Sequence, residues 1–291
     1  DIENKGWDLA VSFVPVQTKD WTLSLSFNTG KNYNKILNAG NSAVTWQDYI
    51  DGTLVSNGHA VNSFYSYKFD KLDSEGYPVF KDVNEKDEDG NAVVHSQQEM
   101  FDRAFVYSGK READLNGGFS AFLKYKNISL NALFSFSFGS NIRLNDLYQS
   151  SGQNLPYPDQ NMSSEFVDRW RVPGDEERTN IPVLSDKSLA IRNSDVTYRI
   201  ADNGWDMYNK SDLRVVSGSF LRCRSMSIRY DLKPEWLKPL YLKGASVSFD
   251  AGNVFVLKDK ALKGRDPEQI GLGSRSIPPQ RSYAVRISLT L

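Results

Sequence analysis

Residues that build covalent or metal-based sites are scarce in this sequence. Its 291 residues include one cysteine, Cys223, and two histidines, His59 and His95. A single cysteine excludes a disulfide framework and paired-thiol motifs, and two histidines argue against a multi-histidine metal centre or a histidine relay. Cys223 is expected to be a small apolar residue in a strand. We therefore predict no cofactor and no enzymatic activity.

The sequence also lacks a charge excess and a long apolar run. Lys and Arg total 35 against 36 Asp and Glu, and the net charge is −1. This balance argues against nucleic acid as a partner, because phosphate binding needs clustered Lys and Arg. The mean hydropathy is −0.50, and no stretch approaches the roughly 18 apolar residues of a membrane-spanning helix. These averages alone describe a soluble, aromatic-rich β protein.

The strongest positive signal is alternation with a period of two. From Ile128 to Phe138 every even position is apolar, and residues 115–125 alternate in the same way up to a tight turn at Lys126-Asn127. Successive strand side chains point to opposite faces, so one face is apolar and the other polar. Several runs exceed the roughly 5 to 6 residues of soluble strands and match the roughly 9 to 11 of membrane-crossing ones. The pattern recurs over residues 7–13, 21–27, 226–230, 245–251 and 283–291.

Three segments are less regular. The strand predicted from about Leu213 to Leu232 loses its alternation between Phe220 and Arg224, which indicates a β-bulge or a slip in parity. Asn62–Phe69 and Tyr77–Val83 are weaker predicted strands, and they bring the total to about nine. The best predicted helix is short, from Ser163 to Arg171, with Ser163 or Ser164 as its N-cap.

The predicted connections alternate in length along the chain. In an antiparallel meander, alternate connections lie on opposite edges, so all short turns would share one edge and all long loops the other. Outer-membrane β-barrels have this asymmetry, with short periplasmic turns and long extracellular loops. The short connections lie near residues 17–20, 70–76, 126–127 and 233–241, and the long ones near 30–61, 84–112, 140–212 and 257–280.

Aromatic residues on the apolar faces fall near both ends of the predicted strands. Two such sets are typical of the girdles at the two membrane interfaces of a barrel. The alternative is a soluble extracellular carbohydrate-binding β-sandwich, in which these rings would pack in a core. The short-turn set is Trp21, Tyr125, Tyr230 and Tyr241, and the long-loop set is Trp7, Phe138, Phe255 and Tyr283.

A series of short motifs runs in a fixed order along the chain. They are Gly6-Trp7-Asp8-Leu9, residues 64–69 followed by Leu72-Asp73, Gly76, Pro78 and Phe80, Asp168-Arg169-Trp170 followed by Pro173-Gly174-Asp175-Glu176, Ser219–Arg222 followed by Ser227–Tyr230, Asn253-Val254-Phe255, and Asp266-Pro267-Glu268. Their order resembles the C-terminal part of a known family, the SusC/RagA-type TonB-dependent outer-membrane transporters of Bacteroidetes. The chain departs from the family pattern in two places: Asp70-Lys71-Leu72-Asp73 lacks the glycine usual before that Leu-Asp, and the chain ends in Leu291, where such barrels commonly end in an aromatic residue.

The resemblance implies a fold and a role. Residues 1–291 would be the C-terminal part of a receptor β-barrel of about 22 strands, with the plug domain and the TonB-binding segment absent from this chain. The intact protein would import an oligosaccharide or peptide nutrient across the outer membrane. Its partners would be a SusD-like surface lipoprotein, the TonB complex, the remaining strands and plug, outer-membrane lipid and the glycan or peptide substrate. The long loops would be extracellular.

Candidate contact residues for substrate or partner lie in the longest loop. Aromatic faces suit sugar rings and peptide side chains because they combine flat apolar area with a polar group, although packing between loops explains them equally well. These residues are Tyr148, Tyr157, Trp170, Trp205 and Tyr208.

A second candidate is a calcium loop at Glu85, Asp87 and Asp89. The position that would need a bidentate Glu in such a loop holds Ser96. A solvated turn is therefore the favoured interpretation, and no metal is predicted.

Overall fold

The structure is a computed structural model, and it describes residues 1–40, 45–81, 88–89, 93, 96–148, 161–184, 204–270 and 277–291. The chain divides into two compact units. We call residues 2–35, 112–140 and 217–291 the sheet unit. Residues 1, 36–111 and 141–216 form the loop unit.

Most regular structure in the described residues is β-strand. The strands are β1 (Ile2–Gln17), β2 (Trp21–Ile36), β3 (Ser63–Tyr67), β4 (Phe69–Leu72), β5 (Pro78–Phe80), β6 (Phe105–Lys110), β7 (Leu115–Tyr125), β8 (Ile128–Phe138), β9 (Asn141–Arg143), β10 (Val215–Ser217), β11 (Phe220–Asp231), β12 (Gly244–Lys258) and β13 (Ser282–Thr290).

Helices are short. Two of them begin with a capping box, Thr45 with Asp48 before α1 and Ser96 with Glu99 before α2. Across the described ranges, no helix has the length and apolar character needed to cross a membrane. The α-helices are α1 (Trp46–Asp51), α2 (Gln97–Ala104), α3 (Gly204–Asn209) and α4 (Pro234–Leu237), and the 3-10 helices are Ser164–Asp168, Asp175–Glu177, Asp212–Arg214, Lys238–Leu240 and Lys260–Leu262.

The sheet unit contains one seven-stranded sheet in the order β1-β2-β7-β8-β11-β12-β13. The strand pairs from β2 to β13 are antiparallel, which confirms the predicted all-β antiparallel class. The predicted two-residue turn is present, because Tyr125 pairs with Ile128 across Lys126-Asn127. Connections still alternate, with short ones at 18–20, 126–127 and 232–243 and long ones at 37–114, 139–219 and 259–281.

The predicted count of about nine long strands is two too high for this sheet. Asn62–Phe69 and Tyr77–Val83 contribute only the short strands β3, β4 and β5, which lie in the loop unit. All five residues of β3 are buried, whereas a barrel strand alternates between a lipid face and an interior face. The turn predicted at 70–76 therefore connects β4 to β5 and is not an edge turn of the long sheet.

The sheet register aligns apolar side chains into rows that cross several strands. One row runs from Leu23 through Leu123, Leu130, Ile228 and Phe249 to Val285. These side chains share one face, and this face is open: Ile228 is 48% exposed, Phe249 46% and Val285 68%. Single exposed apolar residues are ordinary in soluble proteins, but a contiguous apolar face marks an interaction surface.

The predicted irregularity in β11 is a β-bulge. The register against both neighbouring strands shifts between Cys223 and Ser225, and Arg224 is the extra residue. Because of this extra residue, the odd-numbered Cys223 lies on the same apolar face as the even-numbered residues after the bulge, and it pairs with Phe134 and Phe255. Cys223 is fully buried, as expected for a small apolar strand residue.

The register confirms three members of the predicted short-turn aromatic row, Trp21, Tyr125 and Tyr230, whereas Tyr241 lies outside the strands, at the end of the 3-10 helix Lys238–Leu240. It divides the long-loop row. Trp21 pairs with Tyr125, at a ring distance of 4.2 Å, and this row continues through Ile128 to Tyr230. At the other end, Phe255 is level with Cys223 while Tyr283 is level with Ala251. Barrel strands are tilted, so residues paired across strands do not all lie at the same depth along the barrel axis. Residues of one girdle can therefore belong to different register rows.

The loop unit is organised around small sheets and an aromatic core. β3 pairs with β6, β4 with β5, and β9 with β10. The predicted helix at Ser163–Arg171 is the 3-10 helix Ser164–Asp168, capped by the Ser163 hydroxyl, which accepts a hydrogen bond from the Glu165 N–H at 3.3 Å. The core includes Tyr49, Tyr65, Tyr67, Phe69, Phe80, Phe101, Phe105, Phe166, Trp170, Trp205 and Tyr208.

Candidate functional site

Four of the five predicted contact residues lie in or against the aromatic core of the loop unit. Trp170 is 9% exposed, Trp205 1% and Tyr208 3%, and Tyr148 packs against them at 5.5 Å from the Trp205 ring. Tyr157 lies outside the described residues. The structure therefore gives Trp205 and Tyr208 a packing role, and contact with a substrate or partner stays a prediction.

Trp170 is held in place by the charged loop that follows it. Its indole N–H donates to Glu176 Oε2 at 2.9 Å, and the Gly174 N–H donates to the same oxygen at 2.8 Å. The bond from Trp170, together with backbone hydrogen bonds, holds the pKa of Glu176 below its ordinary value. Asp175 accepts hydrogen bonds from the backbone N–H groups of Arg171 and Val172 at 3.0 and 3.1 Å. The carboxylates of Asp175 and Glu176 therefore stabilise the conformation of this loop through hydrogen bonds within it.

A groove that the sequence did not indicate lies elsewhere in the loop unit. It has a cavity volume of about 500 Å³. His59 and Tyr107 stack along it at 4.4 Å, and Tyr65 meets both rings edge-on at 6.1 and 5.9 Å. The groove is lined by Ala39, Gly40, Tyr49, Leu54, Val55, Ser56, Asn57, His59, Tyr65, Asp102, Phe105 and Tyr107.

Polar groups accompany the rings of this groove. The Tyr49 hydroxyl donates to Asp102 Oδ1 at 2.8 Å, so the carboxylate is oriented beside the aromatic wall. Tyr107 is 43% exposed, whereas burial raises the pKa of Tyr65 above its ordinary value. Aromatic rings with a few oriented polar groups are the usual lining of a small-molecule site.

Arg143 fixes the backbone behind this wall. Its guanidinium donates to the carbonyl oxygens of Ile50 (2.9 Å) and Tyr65 (2.5 Å) and to the Ser66 hydroxyl (2.9 Å). It also lies over the Phe64 ring at 5.3 Å. Burial, followed by repulsion from a neighbouring arginine, lowers the pKa of Arg143 to about 10, so the group is charged at neutral pH. One cation thus joins α1 and β3 at the groove.

A second buried arginine joins the core to the connection after β9. Arg214 NH1 donates to Glu165 Oε2 at 2.8 Å, and Arg214 NH2 donates to the Asn145 carbonyl at 2.7 Å. Both side chains of the ion pair are nearly fully buried. A buried pair of this kind is costly to break and so fixes its segments in one arrangement.

The sheet unit has its own buried ion cluster, on its polar face. Arg222 NH2 donates to both oxygens of Asp266 at 2.7 and 2.6 Å, and its Nε lies 2.7 Å from Glu268 Oε2 as an ion pair. Arg224, the bulged residue, donates to Ser135 Oγ at 2.7 Å and also pairs with Glu268. Two motifs singled out in the sequence, Ser219–Arg222 and Asp266-Pro267-Glu268, are therefore in contact.

The predicted calcium loop is only partly within the described residues. Glu85 and Asp87 lie outside them, and Asp89 lies inside. Among the residues that the structure describes, no group of three or more His, Cys, Asp or Glu side chains is arranged to hold a metal ion. Calcium binding at this loop stays untested.

Sequence comparison relates nearly the whole chain to much longer receptors. The TonB-dependent receptor SusC of Bacteroides thetaiotaomicron is 26% identical over 304 residues, covering 99% of this chain and 26% of the relative. The TonB-dependent receptor P3 of Formosa agariphila is 23% identical over 325 residues, covering 99% and 29%. The chain thus spans less than a third of the curated relatives it matches. No protein-family model matches it.

Solved structures show the same fold. The RagAB peptide importer in its closed-closed state matches 99% of this chain and 29% of its own, with a TM-score of 0.67 and 23% identity. In its open-open state it matches 100% and 29%, with a TM-score of 0.66 and 21% identity. The named relatives, this fold and the order of the sequence motifs agree, and together they support a relationship of this chain to the SusC/RagA type of TonB-dependent transporter.

Proposed function

We propose that the chain forms part of the barrel wall and the external loops of an outer-membrane importer driven by TonB. The observation that carries this proposal is the contiguous, exposed apolar face of the seven-stranded sheet. Lipid is the natural solvent for such a face when the other face is polar. The soluble sandwich alternative would bury it against a second sheet, whereas Phe249 and Val285 are 46% and 68% exposed.

An open sheet also needs further strands. Unpaired backbone groups at a sheet edge are costly in lipid, which has no water to satisfy them. We therefore expect the remaining strands, the plug and the TonB-binding segment to lie outside residues 1–291, with this chain as the C-terminal part of the barrel. The short turns would face the periplasm and the long connections the exterior.

The proposed cargo is an oligosaccharide or a peptide, captured beneath a SusD-like lipoprotein that acts as a lid. TonB would pull on the plug and open a path, so the step is transport without covalent chemistry. RagAB, which shares the fold, is a peptide importer. We propose two sets of contact residues. One is His59 and Tyr107 of the groove, and the other is the set predicted from the sequence, Tyr148, Tyr157, Trp170, Trp205 and Tyr208.

Growth of a deletion strain on a panel of glycans and peptides tests this function. We expect a defect on one substrate class that is restored by the intact gene. A strain with no defect on any member of the panel would contradict import. Extraction provides a second test, because a protein that is monomeric and soluble without detergent would contradict the barrel.

A further inference from the structure

The three short connections of the sheet unit form one continuous rim. The Lys126 N–H donates to the Asp20 carbonyl at 2.8 Å, which joins the first turn to the second. The Asp231 N–H donates to the Asn127 carbonyl at 2.8 Å, which joins the second turn to the end of β11, directly before the third connection. We call residues 18–20, 126–127 and 232–243 the short-turn rim.

The rim is rich in lysine. It contains five lysines, Lys19, Lys126, Lys233, Lys238 and Lys243, against two carboxylates, Asp20 and Glu235. Within the described part of the chain none of these lysines forms an ion pair, and all five are exposed. Their charges are therefore available to a ligand.

Two of these lysines lie over aromatic rings, one on the apolar face and one in the third connection. Lys126 Nζ is 5.3 Å from the Tyr125 ring centre, and Lys233 Nζ is 5.8 Å from that of Trp236. The Trp236 ring in turn lies 6.3 Å from Tyr230, the last aromatic of the row that begins at Trp21. Two ammonium groups therefore lie at the border of the apolar face, one over Tyr125 and one over Trp236 beside Tyr230.

The third connection is built to expose apolar rings. It holds α4 and a 3-10 helix where the other two are tight turns. Trp236 is 54% exposed, Leu240 64% and Tyr241 91%, while Leu237 is buried at 3% and anchors the turn. Tyr241 has a φ of +56°, a left-handed conformation that is unfavourable for a residue with a side chain. A turn serving only to reverse the chain has no need of these features.

We propose that the short-turn rim binds anionic phospholipid, with the rings of Trp236 and Tyr241 at headgroup depth and the lysines on the phosphates. Aromatic rings favour the boundary between hydrocarbon and water, and lysines there extend their charge toward the headgroups. Charge complementarity and continuity with the apolar face identify the occupant. The inference rests on the proposed barrel, whose short turns would meet the inner, phospholipid leaflet.

Native mass spectrometry of the whole detergent-purified transporter, with phosphatidylglycerol or phosphatidylcholine added, tests this inference. The test variant is Lys233→Glu/Lys238→Glu, and the control is Lys260→Glu/Lys263→Glu, which reverses two lysines outside the rim. We expect phosphatidylglycerol retention to fall by about tenfold in the test variant only. Unchanged retention, or an equal fall for both lipids, would overturn the inference.

Brominated phosphatidylglycerol in nanodiscs gives a second measurement that does not depend on charge-reversed variants. We expect quenching of Trp236 fluorescence, obtained as the difference between the wild type and Trp236→Phe, and weaker quenching by brominated phosphatidylcholine. No Trp236-dependent quenching would refute the lipid site. If the transporter remains detergent-dependent and imports substrate in that case, the inference fails while the proposed function stands.

Discussion

Gly76 and Trp170 lie so close together that no Cβ atom fits between them. A Cβ added to Gly76 would be 2.4 Å from Cδ2 of Trp170, and Gly76 has a φ of +79°. The Gly76 carbonyl accepts a hydrogen bond from the Val183 N–H at 3.0 Å. The glycine after β4 and the tryptophan of the charged loop are thus two sides of one contact in the loop unit.

We predict that Gly76→Ala destabilises the loop unit by about 2 to 4 kcal/mol, since it adds overpacking to left-handed strain. Gly174→Ala is a matched control, because Gly174 also has a positive φ (+98°) but no atom within 4 Å of an added Cβ. It should cost only about 1 kcal/mol. Hydrogen exchange of both variants, in the whole transporter, measures the difference. Equal effects would show that the Trp170 contact contributes nothing.

Periodicity predicted the long sheet because its strands are solvated differently on their two faces. Ile128–Phe138 alternates cleanly, and its register is as expected. The same rule misassigned Asn62–Phe69, because β3 is buried on both faces and its aromatic residues carry no period. The prediction of alternating short and long connections was not affected by this error. Reassigning the two predicted strands to the loop unit merges their connections into one long connection, and the alternation remains.

The candidate site was less predictable. Aromatic content marked Trp170 and Trp205 as contact candidates, but composition cannot distinguish a ring that faces a ligand from one that fills a core. The groove formed by His59, Tyr65 and Tyr107 depends on the pairing of β3 with β6, which brings residues about forty positions apart into contact. Tyr65 belongs to an aromatic run, residues 64–69, but that run indicated only a strand and a family motif, so the sequence did not indicate the groove.

The hydrogen bond from Trp170 to Glu176 should make the charged loop sensitive to acid. Folding lowers the pKa of Glu176 below its ordinary value of 4.5. The ionised carboxylate therefore stabilises the loop fully above pH 4.5, and this stabilisation is lost as the pH falls through the lower pKa of the folded state. Hydrogen exchange over residues 164–178 between about pH 3 and pH 7 should show the loop opening at the acid end.

Glu176→Gln is the control for this pH dependence. The glutamine oxygen can still accept from the Trp170 indole but does not ionise, so the loop should lose part of its dependence on pH. The remainder belongs to Asp175, whose pKa is also lowered, chiefly by backbone hydrogen bonds from Val172 and Arg171. Identical pH profiles for the wild type and the variant would show that Glu176 does not titrate with the loop.

Because Arg222 and Asp266 form a buried ion pair, we predict that removing one partner costs much more stability than removing both. The two side chains are 3% and 2% exposed. Arg222→Met should therefore destabilise the sheet unit by about 3 to 5 kcal/mol, because the buried Asp266 carboxylate loses its charged hydrogen-bond partner and keeps a hydrogen bond from the Glu268 N–H. The double variant Arg222→Met/Asp266→Leu should recover most of the loss. Thermal unfolding of the detergent-purified transporter measures both, and equal melting of the single and double variants would contradict the coupling.

The groove and the aromatic core should respond differently to mutation if the groove is a substrate site. Tyr107→Ala removes a half-exposed ring that stacks on His59, so we expect the KM for uptake to rise about fivefold or more with little change in stability. Tyr107→Phe keeps the ring and should behave like the wild type. Trp205→Ala removes a ring that is 1% exposed, so it should cost about 3 to 5 kcal/mol of stability.

Transport kinetics and thermal unfolding, measured on the same preparations, separate the two roles. A higher KM for Tyr107→Ala with an unchanged melting temperature would support the groove as a contact site. A lower melting temperature without a change in KM would assign Tyr107 to packing. For Trp205, the variant Trp205→Phe keeps most of the buried area, so it should melt close to the wild type. A raised KM for that stable variant would instead make Trp205 a contact residue, which is one of the two roles that the sequence left open.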